Sequence, residues 1–210
     1  MTSERRRITD ETIRKSVVAF AAFSVPVGLA LHQYTRPVPS LGTLLIVTVI
    51  AATRAFGIPL PGKGFASFAV GGAIAAVLAL GWAGGALVGA IGLMAGDIVV
   101  RRLPLRNAVG NAGHFATASC ISGIVYFTVL RGLPGVLAFQ GSNLWRLAIF
   151  IVLFLAIVNT TFYVQLLLSP AIAWVDARLT ARWESTVAVL ATLLALMALR
   201  IAYAHDLDAA

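Results

Sequence analysis

The stretch FASFAVGGAIAAVLALGWAGGALVGAIGLMAGDIVVRR, residues 65–102, holds no charged side chain until Asp97. An apolar run of this length has no polar face to offer water, so it reads as membrane-embedded helix rather than as the core of a soluble domain. Gly81 and Trp82 divide it into two short runs, 65–80 and 83–100. These form either two full crossings or a re-entrant hairpin, and topological parity is the same in both.

Working outward, the rest of the chain has the same character. Hydrophobic residues make up 60% and charged residues only 11%, with a mean hydropathy of +0.92, which excludes an ordinary soluble domain. Further apolar runs lie at 16–31, 41–58, 107–130, 145–169 and 185–204. Each is apolar on every face, which favours helices that satisfy their own backbone over alternating strands. The expected fold is therefore an all-α integral membrane bundle of about seven transmembrane helices, within a range of about six to eight. Residues 1–15 form a basic cytoplasmic tail, 16–204 a polytopic helical domain, and 205–210 a short C-terminal tail. The stretch SPAIAWVDARLTARWE, residues 169–184, mixes Trp with charges and reads as an interfacial helix near 170–184 rather than a span.

Charge placement sets the orientation. With the N-terminus inside, Arg5, Arg6, Arg7, Arg14, Lys15, Arg54, Lys63, Arg101, Arg102, Arg106, Arg178 and Arg182 are cytoplasmic. That leaves Arg36, Arg131, Arg146 and Arg200 as the remainder of the 16 basic residues. This bias places a multi-pass protein in the inner (cytoplasmic) membrane with a cytoplasmic N-terminus. It also explains the net charge of +8 without nucleic acid, and basic loops beside spans favour anionic headgroups of the lipid bilayer. The charged leader before VGLALHQY (residues 27–34) reads as a signal anchor, with a cleaved signal peptide as the alternative. Cys120, the single cysteine, excludes an internal disulfide and a Cys-based metal cluster, and reads as a packing residue.

Soluble-enzyme motifs are absent: there is no phosphate-binding glycine loop, no zinc-binding His-Glu-x-x-His and no Gly-x-Ser-x-Gly elbow. Beyond Asp97, His114 and Tyr163, the apolar runs offer no convergent acid, base and nucleophile, so neither an enzyme nor a bound cofactor or metal is expected. Polar groups in an apolar setting still cost free energy unless paired, and each needs a reason. Gly85, Gly89, Gly92 and Gly96 share one helical face, which reads as tight helix packing, with a substrate groove or a homodimer contact as alternatives. Asp97 stands one turn before Arg101, where a local ion pair forms at i, i+4. Asn107, Asn111, His114, Ala118 and Ser122 fall on one face of the 107–130 run, which must therefore meet protein or water. In the 145–169 run, Asn159 and Tyr163 make one pair a turn apart, and Thr161 and Gln165 another. The structural reading is an interhelical hydrogen bond among Asn111, His114 and Asn159, each such bond contributing about 0.6 to 2 kcal/mol. The functional reading is a small polar cavity lined by Asn107, Asn111, His114, Asn159, Tyr163 and Gln165, where His114 binds a ligand or changes protonation.

The order GIPLPGKGFAS, the glycine-rich span pair, RRLPLRNAVGNAGH and the later AIVNTTFYV resembles the multi-pass membrane input modules that precede bacterial HD-GYP cyclic-di-GMP phosphodiesterases, diguanylate cyclases and histidine kinases. The resemblance covers about residues 57–165. In those modules a Pro/Gly turn precedes a Gly-rich span pair, followed by an Arg-Arg-x-Pro-Leu loop, a Phe-Asn-x-Ala segment and a Val-Asn in a long span. It implies that Asn111 and Asn159 are family-type intramembrane asparagines and that Arg101, Arg102 and Pro104 form the cytoplasmic loop. Gly110 departs from the pattern where an aromatic is usual, and His114 where Gln is expected. No catalytic or kinase sequence follows residue 204, so the sequence given is either part of a longer protein or a stand-alone relative.

Two functions remain. One is a sensory module that couples a membrane or small-molecule signal to an output domain or partner protein. The other is a small-solute carrier, similar to the substrate-binding subunit of energy-coupling-factor vitamin transporters.

Overall fold

The computed structural model describes residues 3–34, 41–60, 64–167 and 174–206. In chain order the elements are α1 (Ser3–Gln33), α2 (Leu41–Thr53), β1 (Ile58–Leu60), β2 (Gly64–Ala66), α3 (Ala69–Ala95) ending in a π turn at Gly96–Val100, α4 (Leu105–Ile124) ending in a π turn at Val125–Val129, two short 3-10 turns (Gly135–Phe139 and Gly141–Asn143), α5 (Leu144–Leu167) and α6 (Trp174–Asp206). The segments Ala69–Val100, Leu105–Val129, Gly141–Thr161 and Arg178–Ala204 are long and apolar enough to cross a membrane, and Val17–Gln33 and Leu41–Thr53 are shorter apolar helices. The all-α class therefore holds, apart from one small ribbon.

That ribbon pairs Ile58 with Ala66, Pro59 with Phe65 and Leu60 with Gly64, antiparallel. The apolar runs at 41–58 and 65–80 are thus shorter as helices than their hydrophobicity suggests. α2 stops at Thr53 and α3 starts at Ala69. Gly57, Pro59 and Gly64 disfavour helix in between.

α3 is not one rod. Gly81 has φ 77° and ψ 172°, a region open almost only to glycine, and the chain reverses there. A Cβ on Gly85 would fall on the backbone of Val77, and one on Gly89 would lie 3.7 Å from the Ala73 side chain. Both pairs are symmetric about residue 81, which only a hairpin folded at that residue brings about. At about 1.5 Å per residue, arm 69–80 rises about 18 Å and arm 82–100 about 28 Å, against a hydrocarbon core of about 30 Å. The 65–102 stretch therefore folds as the hairpin that Gly81 and Trp82 mark in the sequence.

The glycine stripe serves two neighbours. Gly85 and Gly89 close the hairpin, whereas Gly92 and Gly96 admit α2: added Cβ atoms there would meet Ile50 at 2.9 Å and Ala51 O at 2.8 Å. The stripe is thus met by neighbours within the chain, in keeping with its reading as tight helix packing.

α4 occupies the middle. On one side Gly113 lets it approach α1 so closely that a Cβ would lie 2.8 Å from the Phe23 nitrogen. Pro26 lacks the N–H that would bond Ala22 O, and Thr117 Oγ1 lies 3.5 Å from that carbonyl while donating to Gly113 O at 2.9 Å. Cys120 Sγ contacts Pro26 O at 3.5 Å, which gives the lone cysteine a packing role. On the other side Phe115 meets Phe154 of α5 edge to face, with centroids 6.4 Å apart.

α6 is one helix from Trp174 to Asp206. The expected interfacial segment near 170–184 and the run at 185–204 are continuous from Trp174 onward, because no Gly or Pro interrupts the sequence between them. Residues 170–173 of that segment lie outside the described residues, as do 207–210 of the expected tail.

Candidate functional site

A carboxylate belongs in an apolar bundle only if its charge is matched. Asp97 has 0% exposure and sits on the π turn that ends α3. Its Oδ1 accepts Arg54 Nε at 2.7 Å, with Arg54 Nη2 at 2.6 Å. Arg101 Nη1 stands 3.4 Å from the same oxygen. Oδ2 accepts Asn111 Nδ2 at 2.7 Å. The third nitrogen of Arg54, Nη1, donates to Ser67 Oγ at 2.7 Å. Five residues, from just after α2, the ribbon's exit, the π turn of α3, the following loop and α4, thus converge on one buried ion pair.

The fold explains why they meet. The hairpin about Gly81 brings residue 67 level with residue 95, so Ser67 and Asp97 stand side by side. Arg54 follows α2 directly, and α2 lies along the Gly92–Gly96 face. A Cβ on Gly96 would meet Arg54 Cγ at 2.5 Å, so the last glycine of the stripe clears the path of the guanidinium. The local Asp97–Arg101 pair expected from sequence is present but is the longer contact, and Arg54 is the main partner. Burial and the neighbouring Arg54 charge push the Arg101 guanidinium below its ordinary value, against the pull of Asp97.

Glu184 of α6 is half-buried. Its Oε2 is buried with no hydrogen-bond partner. Next to it, Ser185 Oγ lies 3.4 Å from Asn159 Nδ2 of α5.

The expected network of Asn111, His114 and Asn159 is therefore divided. Asn111 bonds to Asp97 and Asn159 to α6. Ser122 Oγ bonds back to Ala118 O within α4 at 2.5 Å. His114 is half-buried one turn beyond Asn111, Tyr163 is half-buried, and Asn107 is exposed outside the cluster. The Gln165 side chain lies outside the described residues. No group of three or more His, Cys, Asp or Glu that could hold a metal occurs among the described residues.

A second polar cluster, unforeseen from sequence, closes the other end of α4. Tyr126 has 0% exposure and takes the second position of its π turn, as Asp97 does of the first. Its hydroxyl donates to Leu133 O at 2.8 Å and accepts Asn143 Nδ2 at 2.8 Å. The same amide nitrogen lies 3.1 Å from Ala138 O, and Asn143 Oδ1 accepts Leu133 N at 3.3 Å. The two turns share backbone geometry. Leu103 N bonds to Asp97 O at 2.9 Å and Gly132 N to Tyr126 O at 2.7 Å, and Arg102 and Arg131 have φ 54° and 53°. The sequence carries no clear signal of this: aligned on the two turns, Arg102 matches Arg131, and RRLP at 101–104 lies one residue out of register with RGLP at 131–134.

No family model, no curated protein and no solved structure matches this chain.

Proposed function

We propose that this chain is a multi-pass input module of a bacterial inner membrane, with a cytoplasmic N-terminus, which couples a membrane or small-molecule signal to a cytoplasmic signalling output. On this reading the two arms of α3 are counted as separate segments beside α1, α2, α4, α5 and α6. The Arg54–Asp97 cluster then lies at the cytoplasmic end, beside the basic 101–106 loop.

The observation that carries the proposal is the buried ion pair itself. An ionisable group held inside an apolar bundle is expensive and marks function by default. Here it joins α2, α3 and α4, so a stimulus that parts these helices has to break the pair. The cluster is thus either closed or open, the kind of two-state element that a signal biases. The resemblance to input modules agrees with this role for Asn111 and for the Arg101–Arg102 loop.

A second reading, a small-solute carrier, is favoured by one observation: α3 is interrupted at Gly81 within an apolar segment, as helices around carrier binding sites often are.

The test uses cells that make the full chain as wild type, Asp97→Asn and Asn111→Leu at matched membrane levels. Cellular cyclic-di-GMP and protein phosphohistidine are measured. A change of severalfold in either output in both variants is expected. Equal outputs in all three strains, with one solute co-purifying stoichiometrically, would replace the input module with the carrier.

A further inference from the structure

The first turns of α6 carry a feature that the buried clusters do not use. Leu179, Arg182, Trp183 and Thr186 line a groove of about 400 Å3. These positions follow the i, i+3, i+4, i+7 spacing of one helix face. Leu190, Leu193, Leu194 and Met197 continue the same face, each more than half exposed. The result is a polarised surface: a guanidinium and an indole at one end, then an aliphatic stripe.

We propose that this groove binds a membrane phospholipid with an anionic headgroup. The phosphate sits on Arg182, the glycerol region against Trp183, and the acyl chains run along the stripe. Three observations favour this occupant. The described lining contains one guanidinium and no carboxylate, so its charge complements a phosphate. Arg178, one turn earlier, is also exposed. The adjacent acid, Glu184, has a buried carboxylate oxygen. The stripe begins where a lipid's polar part ends and extends about 21 Å from Trp183 to Met197 at 1.5 Å per residue, enough for an acyl chain in one leaflet. A Trp between charge and hydrocarbon is the usual residue at headgroup depth.

The proposal does not depend on the signalling reading. It is tested with the full chain in nanodiscs of equal phosphatidylglycerol and phosphatidylcholine, released into the gas phase for native mass spectrometry. The wild type is expected to retain phosphatidylglycerol above the bulk ratio. Arg182→Gln should lower that enrichment about fivefold, the scale of one basic side chain at a membrane surface. Arg200→Gln, near the far end of the same helix, should leave it unchanged. Retention at the bulk ratio, an unchanged Arg182→Gln variant or an equal loss in Arg200→Gln would each overturn the site. A lipid-free dimer would also overturn it, by showing that a second copy covers the face.

Discussion

Asp97 and Glu184 are both acids in an apolar bundle, yet their substitutions should have different consequences. Replacing Asp97 by Asn removes the carboxylate charge that Arg54 Nε and Nη2 meet, and breaking a buried pair from one side costs about 3 to 5 kcal/mol. Replacing both partners, as Arg54→Met with Asp97→Leu, removes both charges and should cost less than the single change. Glu184→Gln should change stability by no more than about 0.5 to 1 kcal/mol, because its Oε2 has no partner to lose. Unfolding in detergent micelles checks the set, and a Glu184→Gln loss equal to that of Asp97→Asn would refute the ranking. Sequence spacing found Asp97 and Arg101, because a helix puts i and i+4 together. It did not find Arg54, which is 43 positions from Asp97 in the chain and meets it only after the α3 hairpin has formed. The same reason separates Asn111 from Asn159: their chemistry was legible, but their partners depend on which helices adjoin.

At the scale of the element, α3 was readable because its two arms are individually short and the break carries a glycine. Gly81 and Gly28 offer a clean comparison, since an added Cβ at either meets nothing within 4 Å. Only Gly81 has positive φ. Gly81→Ala should therefore destabilise by about 1 to 3 kcal/mol from backbone strain alone. Gly28→Ala, inside α1, should be neutral or stabilising by up to about 1 kcal/mol. Equal thermal stabilities for the two variants would mean that the reversal does not depend on the glycine. The β1–β2 ribbon was less legible, since its residues are as apolar as a helix and only Gly57, Pro59 and Gly64 argue against one. α6 shows the opposite error. Its charges suggested a boundary near residue 184, but charge alone does not end a helix in the absence of a breaker.

For the whole molecule, the notable arrangement is that α4 carries a polar cluster at each end, Asn111 on Asp97 at one and Tyr126 on Asn143 at the other. Along the helix these anchors are about 22 Å apart, so they share no partner and their substitutions would ordinarily add. An input module has a stricter requirement, because a stimulus felt at one end must change the other. Tyr126→Phe should cost about 1 to 3 kcal/mol by leaving Leu133 O and the Asn143 amide without their hydroxyl partner. If α4 transmits as a rigid rod between two locks, Tyr126→Phe combined with Asp97→Asn should depart from the sum of the single effects by more than about 0.5 kcal/mol. Once one lock is open, α4 is already free to shift and the second has less left to hold. Unfolding of the two single variants and the double variant in the same detergent measures that difference. Strict additivity would make the clusters two independent stoppers and remove α4 as the route of coupling.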